Sequence, residues 1–104
     1  MQVFLIDAFE KTVSAIQLED ELQGIRRLVG FDSVDADEID DNGDRLYFDE
    51  SCFIREQNHP GRFKVDNLAP VAGRGVVVGG KPDSTTLADP VVTLDALKAR
   101  VQFL

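Results

Sequence analysis

The chain has 104 residues, 43% of them hydrophobic and 29% charged, with four prolines, one cysteine and a formal net charge of −8. That length and composition fit one domain with one core and exclude a mostly disordered chain. The acidic balance speaks against direct nucleic-acid binding, which needs a Lys/Arg surface, and leaves open a protein partner with a basic face or a surface that imitates a phosphate backbone.

Cys52 is the single cysteine, so no intramolecular disulfide can form. No apolar run approaches the ~18 residues of a membrane span. The opening Met1-Gln2-Val3-Phe4-Leu5-Ile6-Asp7 lacks a basic flank and meets an acid after four apolar residues, unlike a signal peptide. The expectation is a cytoplasmic, soluble single domain over residues 1–104, with no membrane contact.

Val3-Phe4-Leu5-Ile6 is a run of strand formers stopped by Asp7, and Thr12 to Leu18 alternates between two faces. Together they predict a hairpin turning at Ala8-Phe9-Glu10-Lys11. Leu18, Leu22, Ile25, Leu28 and Val29 then recur at helical spacing. Asp20 is the expected N-cap with Gln23 completing a capping box, Arg26 and Arg27 suit the last turn, and Gly30 is the expected left-handed stop. Gly24 inside this helix costs about 1 kcal/mol relative to alanine, which suggests close packing against the sheet.

The segment Asp32 to Glu50 carries nine carboxylates and one cation, Arg45, so it accounts for the whole net charge. Asn42-Gly43 within it signals a two-residue type I′ hairpin turn. That turn pairs Asp40 with Arg45, Ile39 with Leu46 and Asp37 with Phe48, and it leaves a solvated acidic tip. Cys52-Phe53-Ile54 extends the second strand, and Glu56 to Gly61 is loop by composition. Phe63-Lys64-Val65 is a short strand, Asn67 to Gly73 is irregular, and Val76-Val77-Val78 is a short buried strand flanked by glycines. Thr93 caps a closing helix with Leu94, Leu97, Val101 and Leu104 at helical spacing, over residues 93–104. The predicted fold is α+β: a small, mostly antiparallel sheet of about five strands in ββαβββα order, with a central and a C-terminal helix.

Three patterns suggest chemistry. Aligning Gly43 with the glycine of an EF-hand loop sets Glu38, Asp40, Asn42, Asp44 and Asp49 at ligand positions. The first position should be Asp, the last a bidentate Glu, and the flanks helices, so no metal site is predicted. Ser51, Cys52 and His59 lie close in sequence but lack a glycine elbow or family signature, and no catalytic residue is assigned. The glycines around Val76–Val78 follow GxGxxxG and flank a strand, which is not a phosphate loop, so no cofactor is expected. Arg74 remains a surface contact candidate.

The order of pieces resembles a family of short phage- and plasmid-associated proteins of unknown function. The matching pieces are Val3 to Asp7, Leu22 to Gly30 with its Leu28-Val29-Gly30 ending, Phe31, Asn67-Leu68-Ala69 and Gly75 to Gly79. The resemblance spans roughly residues 1–80 and implies an accessory protein of a mobile element, with no site residues to carry over.

The first-ranked function is a non-enzymatic protein-interaction module, with a second copy of the chain among its candidate partners. Asp37, Asp40, Asp41, Asp44 and Arg74 are the candidate contact residues. The alternative is an acidic DNA mimic that inhibits a DNA-binding enzyme, and a third option is a small enzyme or ligand-binding domain using His59 or Arg74.

Overall fold

The computed structural model describes residues 1–19, 21–30, 34–50, 61–80 and 87–104. They form a small α+β domain with two helices and an antiparallel main sheet. In chain order the elements are β1 (Gln2–Asp7), β2 (Thr12–Gln17), α1 (Glu21–Val29), β3 (Val34–Glu38), β4 (Arg45–Asp49), β5 (Arg62–Val65), β6 (Val71–Ala72), β7 (Arg74–Gly80), β8 (Leu87–Ala88), α2 (Leu94–Arg100) and β9 (Val101–Phe103).

The main sheet runs β2-β1-β7-β4-β3, with β8 joined to the end of β7. A second sheet has the order β6-β5-β9. Alternation along the strands explains the layers, because successive side chains leave a strand on opposite faces. Val3, Val76 and Val78 join Leu18 and the α1 residues Ile25 and Val29 in one core. Phe4, Ile6, Leu46, Phe48 and Val77 face the other way and join Phe63, Val65, Val71 and Leu97. The main sheet is therefore a middle layer between α1 and a floor made of the second sheet and α2. Central β7 is apolar on both faces, and Val76, Val77 and Val78 are wholly buried, which is why its sequence does not alternate.

The first hairpin forms as its sequence predicts, with Asp7 opposite Thr12. Asp7 shapes its turn by accepting hydrogen bonds from the backbone N–H groups of Phe9 and Glu10, at 2.9 and 3.2 Å. Helix α1 ends at Gly30, whose φ is +93° and whose N–H donates to the Arg26 carbonyl. Gly24 makes room for Leu18, not for the sheet: a Cβ there would lie 2.4 Å from Leu18 Cδ1. The expected cap at Asp20 and the strand extension Cys52-Phe53-Ile54 lie outside the described residues, as does His59.

Strand β6 forms within Asn67 to Gly73, where irregular chain is expected, and two further elements differ from the sequence expectation. The closing helix stops at Arg100, and Val101 turns to extended backbone with φ −88° and ψ 131°. Thr93 does cap it, accepting from Ala96 N–H. Beyond it Val101 and Phe103 alternate onto the apolar floor and pair with Val65 and Phe63. A period of two on a β-branched and an aromatic residue prevails over the weaker helical spacing that reaches Leu104. In the acidic hairpin the strands form, but Glu38 stands opposite Arg45 and Asp37 opposite Leu46, two residues from the expected register. A four-residue connection, Asp40 to Gly43, replaces the two-residue turn, closed by Ile39 N–H donating to Asp44 O at 3.0 Å.

Candidate interaction surface

The acidic connection faces inward as much as outward. Gly43 has φ +100°, and a Cβ on it would lie 1.6 Å from the Gly80 carbonyl oxygen, so only glycine fits there. This packing drives the next residue, Asp44, beneath the surface, where it is 0% exposed. Its backbone N–H donates to Asn42 Oδ1, and its two carboxylate oxygens accept from the N–H groups of Val91 and Val92, each at 2.8 Å. Those amides immediately precede α2. At the other end of α2, Arg100 reaches the same connection. Its Nη1 and Nη2 donate to the two Asp40 oxygens at 2.9 and 3.1 Å, and Nη2 also donates to the Ile39 carbonyl. Nε donates to Asp66 Oδ2 at 2.7 Å. The acidic loop thus holds α2 at both ends.

Of the residues singled out from sequence, Asp44 is therefore removed from the surface and Asp40 is committed to Arg100. Asp41 is exposed on the loop and Asp37 is half-buried on β3. The expected Asp40–Arg45 pairing is replaced by Asp40–Arg100, because the register shift moves Arg45 opposite Glu38. Arg74 lies apart, at the start of β7. Its Nε donates to Asp7 Oδ2 at 3.1 Å, and its guanidinium sits 5.6 Å from the centre of the Phe9 ring. Arg74 thereby steadies the first turn. Among the described residues no group of three or more His, Cys, Asp or Glu side chains is gathered to hold a metal ion. No helix among them is long and apolar enough to cross a membrane.

The two edges of the main sheet, which only the strand order defines, differ sharply. Met1 and Leu18 exchange both backbone hydrogen bonds, at 3.2 and 2.8 Å, and so fix the phase of the β1–β2 ladder. By alternation Thr12, Ser14 and Ile16 bond to β1, while the N–H and C=O groups of Val13, Ala15 and Gln17 point outward. No hydrogen bond from another described residue reaches those outward groups. Strand β2, TVSAIQ, has no charged side chain. The opposite edge, β3, reads VDADE. Its outward-facing Ala36 N–H is already taken by Asp35 Oδ1 at 2.8 Å.

Charged side chains and occupied N–H groups are the usual means of blocking an edge. The protein uses both at β3, and among the described residues β2 has neither. Beside β2, a cavity of about 300 Å³ opens between the strand and α1, lined by Ile16, Leu18, Gly24, Arg27 and Leu28 among others.

A scan against protein-family models found no match to this chain, and searches of curated proteins and of solved structures found none either.

Proposed function

We propose that the chain is a non-enzymatic protein-interaction module that acts by strand addition at the β2 edge. The contrast between the two edges carries this reading. One is blunted by carboxylates and by a side chain on its own backbone, and the other offers three residues' worth of outward hydrogen-bonding groups beside a cavity lined by both apolar and charged side chains. In strand addition the main chain supplies affinity and neighbouring pockets select side chains. On its resemblance to short phage- and plasmid-associated proteins, we further read it as an accessory protein of a mobile element. The DNA-mimic alternative has fewer carboxylates to use than the sequence offers, since Asp44 is buried and Asp40 is ion-paired.

The test is a titration of dilute, isotope-labelled protein with a hexapeptide of alternating threonine and valine, followed by amide chemical shifts. Shifts centred on Val13, Ala15 and Gln17, and lost in Ala15→Pro, are the expected result. Shifts that stay still, or that centre on the acidic loop, overturn it.

A further inference from the structure

We propose that the occupant of the β2 edge is a second copy of this chain, paired antiparallel about a two-fold axis at Ala15. The proposal rests on the strand-addition reading and names its partner. The outward groups belong to Val13, Ala15 and Gln17. With Ala15 opposite Ala15, Val13 of each copy meets Gln17 of the other. Each such pair exchanges two N–H···O bonds, so three pairs give about six bonds and meet every outward group on the strand. Moving the axis to Val13 or Gln17 leaves some of those groups unmet.

Charge selects the same register. Lys11 and Glu19 stand at equal separation on either side of Ala15, and both are exposed. Neither is committed to an ion pair within the described chain. The two-fold brings Lys11 of each copy to Glu19 of the other. It also places Ser14 and Thr12 of the second copy opposite Ile16 and Leu18, at the rim of the cavity beside α1. The same operation on β3, centred on Ala36, would set Asp35 against Asp37 of the copy. Like charges directly opposite are destabilising.

The net charge of −8 on each copy does not oppose the pairing at this edge. The strand order puts the acidic hairpin at the far side of the sheet. In the dimer the two β3 strands stand nine strand spacings apart, roughly 43 Å, far beyond the screening length of about 8 Å at physiological salt.

Sedimentation equilibrium on the full chain from roughly 5 to 500 μM tests this. A small edge-to-edge interface predicts a monomer–dimer equilibrium with dissociation in the roughly 10–100 μM range. Ala15→Pro removes one outward N–H without touching the β1 ladder. It is expected to be monomeric throughout, with an unchanged circular dichroism spectrum. Glu19→Lys is expected to weaken the dimer about tenfold, and adding Lys11→Glu to restore it. Should Ala15→Pro fail to fold, the charge swap decides alone. A wild-type chain that stays monomeric, a dimer indifferent to Ala15→Pro, or a swap that restores nothing overturns the proposal. If the monomer still takes up the threonine–valine peptide at β2, only the second copy falls. If it does not, the strand-addition reading falls with it.

Discussion

At the residue scale, an aspartate in an acidic stretch can serve either solvent or the fold, and Asp44 serves the fold. Its buried carboxylate accepts hydrogen bonds from two successive backbone amides, those of Val91 and Val92. Hydrogen bonds to a charged group contribute about 1.5–3 kcal/mol, and unmet buried donors cost similarly. Asp44→Ala should therefore lower unfolding stability by about 3 kcal/mol, read from the denaturant midpoint, whereas Asp41→Ala on the same loop should change it by less than about 0.5 kcal/mol. Arg100 is held by Asp40 first and Asp66 second, and their hydrogen bonds push its guanidinium above the ordinary arginine value. A raised value contributes fully below the unfolded group's own pKa and is lost only above it. Arg100 titration therefore gives no pH dependence near neutrality, and its contribution fades only in strong base. A double-mutant cycle with Asp40→Asn and Arg100→Gln should show coupling of about 1 kcal/mol, shrinking as salt is added. Arg100→Lys should not rescue it, because a point charge cannot fork across the Asp40 oxygens and the Ile39 carbonyl.

At the element scale, what local chemistry dictates was legible in the sequence. The β1–β2 turn, the Gly30 stop, the Thr93 cap and the buried valine strand each depend on neighbours within a few residues, and each appears in the structure. The acidic hairpin was half legible. Its strands follow from alternation, but its register depends on Gly43 fitting against Gly80, a residue far along the chain. No reading of Asn42-Gly43 alone could supply that constraint. Gly43→Ala combines a positive φ with a backbone clash and should destabilise by more than about 3 kcal/mol, measured by thermal or denaturant unfolding. The end of α2 was misread for a related reason. The second sheet that captures Val101 and Phe103 exists only once β5 has folded beside it.

At the scale of the whole molecule, the candidate surface was almost illegible from sequence. Charge density drew attention to the hairpin, while the unpaired edge is defined by strand order, which depends on β7 entering between β1 and β4. An uncharged stretch such as TVSAIQ becomes notable only when no strand among the described residues pairs with its outer side. Hydrogen exchange tests that placement. In dilute solution the amides of Val13, Ala15 and Gln17 should exchange orders of magnitude faster than those of Ser14 and Ile16. Raising the protein concentration should slow the first set alone. Equal protection of both sets in dilute protein would mean that the edge is covered within the monomer.

The central position of β7 also bears on how the chain acquires its structure. Both flanking hairpins close locally, yet neither can join the other until the strand that begins at Arg74 arrives to pair with each. Most of the main sheet is thus committed in one late, long-range event, and such topologies fold slowly compared with helical bundles of similar size. During synthesis the two hairpins would wait with their inner edges bare, the stage at which strand-edge aggregation competes. The second hairpin carries the chain's cluster of carboxylates, and like charge of that density disfavours its pairing with the same hairpin of a neighbouring chain.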